Sequence, residues 1–90
     1  MSHYIALLFR SPVGEWNVLF PDVPECQAHG YTVDDATFAA TTALSRCLAE
    51  NGASPPLPRG LAEIERDEAW LSRNNIDLRD AIVTMISTTG

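Results

Sequence analysis

Carboxylates are the most numerous charged side chains in this 90-residue sequence: twelve stand against six arginines and no lysine. They can ligate metals, move protons or present a charged surface, and their spacing decides among these. Here they are scattered. Asp22 stands alone in Pro21-Asp22-Val23-Pro24. Asp34 and Asp35 open a helical stretch and Glu50 closes it. Glu63, Glu65, Asp67 and Glu68 make the one dense run. That run fits a solvated helix face or a docking surface for a basic partner. Asp22 fits a group that satisfies backbone N–H donors in its own turn, or one that meets a partner's arginine.

The remaining candidates are isolated. His3 and His29 have no companion ligands. Cys26 and Cys47 lie 21 positions apart, without a CxxC pair, and read as small buried hydrophobes with reduced thiols. No serine or threonine sits in a nucleophile context, and no glycine-rich loop could cradle phosphate. No catalytic residue, metal or cofactor is expected. Trp16 and Trp70 have an apolar body and a polar tip. They suit packing at the rim of a core, or anchoring a partner.

Charge narrows the partner class. A net charge of −6 disfavours direct binding to nucleic acid, which relies on clustered Lys and Arg. A basic protein suits the surface better, although the same charge would also serve solubility alone. No apolar run approaches the roughly 20 residues of a membrane span. Met1-Ser2-His3-Tyr4 lacks a signal-peptide pattern, so a cytoplasmic location is expected.

Something must position these groups. Apolar content of 46% with 20% charged residues is that of a globular chain, and this length accommodates one domain, 1–90. Tyr4-Ile5-Ala6-Leu7-Leu8-Phe9 predicts a strand buried on both faces, ended by Ser11-Pro12-Val13-Gly14. Glu15 to Phe20 alternates, with Trp16, Val18 and Phe20 on one side, and predicts a hairpin partner. Pro21 and Pro24 lack an N–H and stop the pairing. Cys26 to His29 predicts a third strand, closed by Gly30.

Thr32 and Asp35 have capping-box spacing. Ala36, Ala40, Ala43, Leu44, Cys47 and Leu48 recur as one apolar helical stripe, with Asn51-Gly52 as the stop. Ala53 to Gly60 is a Pro-rich surface crossover. Leu61 begins a short second helix that Asn74-Asn75 ends, and Asp80 to Thr88 is a β-branched final strand. The expected fold is α+β, in the order β-β-β-α-α-β. A three-stranded antiparallel meander is joined by one parallel strand, because the long crossover allows the last strand to run with the first.

These residues resemble the HicB family. The likeness rests on Tyr4-Ile5-Ala6-Leu7, on Trp16-Asn17-Val18-Leu19-Phe20-Pro21-Asp22-Val23-Pro24-Glu25-Cys26, and on Gly30-Tyr31-Thr32-Val33-Asp34-Asp35-Ala36. Pro55-Pro56-Leu57-Pro58 and Leu61-Ala62-Glu63-Ile64 extend it. Glu25 departs from the family, which usually has glycine there. The resemblance implies a degenerate ribonuclease-H-like fold without nuclease activity. The carboxylates of such an enzyme would lie on the first and last strands. Here no acid falls between His3 and Arg10, and only Asp80 opens the last strand.

The resemblance also implies an antitoxin that occludes a small basic HicA-like mRNA-cleaving toxin, as a homodimer or homotetramer. A stand-alone structural or regulatory oligomer without a toxin is the alternative. Many HicB proteins carry a DNA-binding segment after this domain; none is expected in this sequence. Trp16, Asp22, Glu63, Glu65, Asp67, Glu68 and Trp70 are the residues expected to meet a partner.

Overall fold

The computed structural model describes residues 2–50 and 57–88. Strand β1 (Ser2–Arg10) turns through residues 11–15 into β2 (Trp16–Leu19). In that turn the Ser11 carbonyl accepts from the Gly14 N–H at 3.0 Å, and the Ser11 hydroxyl accepts from the Glu15 N–H at 3.2 Å. Gly14 takes φ +93°, a conformation that costs other residues strain. Beyond β2, the corner folds on itself through Val23 N–H to Phe20 and Cys26 N–H to Val23 bonds. Strand β3 (Gln27–Gly30) follows.

Helix α1 (Val33–Glu50) starts where its cap predicts. The Thr32 hydroxyl oxygen accepts from the Asp35 N–H at 3.0 Å. Gly30 is where strand and helix meet: a Cβ there would stand 2.5 Å from the Ala36 nitrogen, so no side chain fits. Thr37, Thr41 and Thr42 donate their hydroxyls to the carbonyls of Val33, Thr37 and Phe38. The Asn51-Gly52 stop and the first part of the crossover lie outside the described residues.

The expected second helix is two. Helix α2 (Leu61–Glu65) ends at Arg66, and α3 (Glu68–Arg73) begins afresh, because the Asp67 carboxylate caps it by accepting from the Trp70 N–H at 3.2 Å. A short 3-10 turn (Leu78–Asp80) leads into β4 (Ile82–Thr88), so Asp80 precedes the strand.

The sheet order is β3-β2-β1-β4, and every pairing is antiparallel. The expected parallel last strand is therefore wrong. The reason lies in the path of the chain. Arg59, just before α2, sits beside Pro21 and Asp22, at the end of the sheet where β2 finishes. From there α2, α3 and the 3-10 turn carry the chain along the back of the sheet to its other end. Ile82 enters opposite Leu8, and β4 runs down beside β1 until Thr88 faces Ser2. One helix would have left the chain at the near end and allowed a parallel strand; the further helical segments remove that option.

β1 is buried on both faces, as its apolar run predicts. Tyr4, Ala6 and Leu8 join Val18, Phe20, Val23, Cys26 and Ile86 beneath the Ala36, Ala40 and Leu44 stripe of α1. Ile5 and Leu7 point the other way and are covered by Ile64 of α2, with Phe9, Trp70, Ile76, Leu78 and Ala81 around them. The alanines let α1 approach the sheet closely, which is how a chain this short closes a core.

Candidate partner-binding surface

The acidic segment is carried by α2 and α3, on the sheet face opposite α1. Ile64 fixes it from below: it is fully buried against Ile5 and Leu7, which turns its neighbours Glu63 and Glu65 outward. Glu68, in the first turn of α3, is also exposed. Among the described residues none of these three glutamates enters an ion pair. Residues 61–73 hold four acids (Glu63, Glu65, Asp67, Glu68) and two arginines (Arg66, Arg73), a local charge of −4 + 2 = −2.

A second lock holds the two helices from the side. Arg59 donates its Nε–H to Asp22 Oδ1, its backbone N–H to Asp22 Oδ2 at 2.7 Å, and its Nη1–H to Asp67 Oδ2 at 3.1 Å. Its Nη2–H reaches the Pro21 carbonyl at 3.4 Å. One guanidinium thus ties the corner after β2 to the cap of α3. The Asp22 side chain is only 4% exposed and that of Arg59 31%, so the pair is shielded from much of the screening that weakens surface ion pairs. The Arg59 hydrogen bond, followed by that from the Trp70 N–H, holds the Asp67 carboxyl below the usual aspartate range. The hydrogen bond to Asp22 is the main reason that the Arg59 guanidinium is held still more firmly in its charged form. Burial, then the nearby Asp22 charge, pushes the Tyr4 phenol up.

The sequence-predicted residues therefore divide. Asp22, Asp67 and Trp70 come together through the Arg59 lock, with Glu63, Glu65 and Glu68 beside them. Trp16 does not: it packs at the margin of the α1-side core, across the sheet from Trp70. Asp22 serves no N–H of its own turn; it accepts from a residue 37 positions away. Arg59 is the group that sequence reasoning missed. Its one signal is a lone arginine inside the Leu57-Pro58-Arg59-Gly60 stretch, and spacing cannot reveal a partner at that distance.

Cys26 and Cys47 form no disulfide, and both belong to the α1-side core. Burial, then a hydrogen bond with Cys47, pushes the Cys26 thiol up to about 12. Among the described residues no three His, Cys, Asp or Glu side chains gather as a metal site. No helix there is long and apolar enough to cross a membrane.

This arrangement of strands and helices has known counterparts. The N-terminal domain of the Burkholderia pseudomallei antitoxin HicB superposes with a TM-score of 0.72 at 17% identity, over 98% of this chain and 99% of that one. The fold is that of the HicB N-terminal domain. The longer Burkholderia pseudomallei HicB antitoxin gives 0.74 at 18% identity, covering 98% of this chain. This chain spans 62% of the length of that HicB. A chain from a HicA3 and HicB3 toxin-antitoxin complex gives 0.63 at 21% identity, over 98% and 99% of the two chains. No family model and no curated protein sequence matches this chain. The likeness to HicB is thus one of fold, carried by structures below 25% identity.

Proposed function

We propose that this chain is an antitoxin-type binding module, without catalytic activity of its own, that neutralises a small basic HicA-like mRNA-cleaving toxin in the cytoplasm by covering its surface. The observation that carries this reading is the HicB fold, shared with a chain from a toxin-antitoxin complex over nearly its whole length. The contact surface is the α2–α3 face. Glu63, Glu65 and Glu68 are exposed and, among the described residues, uncommitted to ion pairs, so they steer a basic partner and pair with its cations on docking. Trp70, half-buried beside them, is the anchor. Asp22 and Asp67 act through Arg59 as positioning residues that hold α2 and α3 at one height above the sheet. Trp16 enters the contact only with a partner large enough to reach around the end of the sheet.

The test is capture of the small basic protein encoded next to this one. The triple charge reversal Glu63→Lys, Glu65→Lys, Glu68→Lys lowers the association rate by about 10- to 100-fold and flattens its salt dependence. Capture by the wild type that is indifferent to the reversal would refute the acidic face while leaving the antitoxin role. The absence of any capture would remove the role itself. A stand-alone oligomer is the second reading, and the outer edge of β4 favours it.

A further inference from the structure

Strand β3 is an outer strand of the sheet and, among the described residues, pairs only with β2. Its free side offers unpaired backbone groups. Helix α1 runs alongside, and between the two lies a groove of about 430 Å³. The helical wall is Phe38, Ala39, Thr42, Ala43 and Arg46; the strand wall is residues 27–29. Phe38 is 76% exposed, a large aromatic ring on no core. Arg46 is exposed and, among the described residues, enters no ion pair. The alanines between them keep the helical wall low.

Spacing decides what fits. Gly30 abuts Ala36, and residues 27–29 share the groove with Phe38 to Arg46, so α1 runs back along β3. Phe38 and Arg46 stand eight positions apart, about 12 Å along a helix axis. An extended chain covers about 13 Å in four residues and turns every second side chain to the same face. A strand added to β3 thus presents its first, third and fifth side chains to Phe38, to the alanines and to Arg46.

We propose that this groove is a binding site for an extended, acidic segment of a partner protein, which joins β3 as an antiparallel fifth strand. The segment carries an apolar side chain first, a small apolar one third and a carboxylate fifth. Running against β3, it meets Phe38 before Arg46. Backbone pairing supplies the affinity, and the three side chains supply the selection. Charge chooses the occupant. The chain has twelve acids, yet none lines this groove, whose ionisable groups are Arg46 and His29. A basic segment would meet Arg46 as like charge. The contact is far smaller than a standard interface, so the dissociation constant is on the order of 10–100 μM. The groove lies on the α1 side of the sheet, across from α2 and α3, and the proposal does not depend on the toxin reading.

Titration of the full, nitrogen-15-labelled chain with the end-blocked peptide Ser-Leu-Thr-Val-Thr-Glu-Ser tests it by NMR. Saturable shifts are expected in residues 27–30 and 38–46. Arg46→Glu weakens binding by about tenfold or more, and Phe38→Ala by about fivefold, with unchanged circular dichroism spectra because both side chains are exposed. Arg46→Glu also binds the peptide with Lys in place of Glu more tightly than the wild type does, an exchange that structural damage could not produce. Absence of saturation below about 1 mM overturns the proposal. So does equal binding of the reversed peptide Ser-Glu-Thr-Val-Thr-Leu-Ser, indifference to Arg46→Glu, or shifts confined to residues 61–73. Displacement of the peptide by the small basic neighbour would give the groove to the toxin and overturn the acidic occupant.

Discussion

Two layers close this sheet, and they do so by different physics. On one face an 18-residue helix lies on a core whose fully buried members include Leu44, Val18 and Phe20, and among the described residues no ion pair ties the helix to the sheet. On the other, helices of five and six residues rest on Ile5 and Leu7 through Ile64 of α2 and depend on a lateral ion lock for their position. Burial is non-directional and tolerant of small displacements, whereas hydrogen-bonded charges fix a height and an angle. A layer that presents a surface to a partner gains from the second kind of hold.

The sharpest way to break this comparison is to remove the same volume from each face. Leu44→Ala and Ile64→Ala each delete three carbons from a fully buried site. Losses of about 2–5 kcal/mol are expected, with Leu44 nearer the top of that range because the strands on one side and the long helix on the other cannot collapse into the gap. α2 can settle, so Ile64 falls nearer the bottom. Urea midpoints of the two variants check this, and equal values would mean that the layers are equally rigid.

Asp22→Asn comes next. It leaves Arg59 with Asp67 as its one charged partner in the lock and costs about 1–2 kcal/mol, discounted because the Arg59 side chain is partly exposed. The loss is local. Amide exchange quickens across residues 61–73 while α1 keeps its protection. A uniform increase over the whole chain would show that the lock supports the entire fold.

Acid gives the smallest effect. The Arg59 bond depresses Asp67, and the Arg79 bond lowers Asp77 to about 2. Groups with lowered folded values contribute stability that is present above the ordinary aspartate value of 3.8 and is lost as pH falls through the folded value. The urea midpoint therefore drops between about pH 4 and pH 2. Asp67→Asn makes that drop shallower, and a variant as acid-sensitive as the wild type would exclude Asp67 from the lock's pH response.

Local features were legible in the sequence because neighbours in the chain set them. The alternation of Trp16, Val18 and Phe20, the Thr32 cap and the Ala36–Ala40–Leu44 stripe all appear in the structure, since each depends only on strand or helix period and on donors within four residues. The direction of β4 was not legible. It depends on where the crossover leaves the sheet and how far α2 and α3 climb, and hence on a contact between Arg59 and Asp22 that spans 37 positions. For the same reason the acidic run was readable as a surface, but the lock beneath it was not. The separation of Trp16 from Trp70 followed only once each tryptophan's face of the sheet was known.

The Ser2–Thr88 pairing has a practical side. Neighbouring strands place paired Cα atoms about 4.5–5.5 Å apart, so the two ends of the ladder share one corner. A linker of a few residues could join them into a circular permutant opened at the residue 11–15 turn. A bulky tag on either terminus, by contrast, would crowd the corner beside β4, so tag-free protein is the right sample for weighing the assembly.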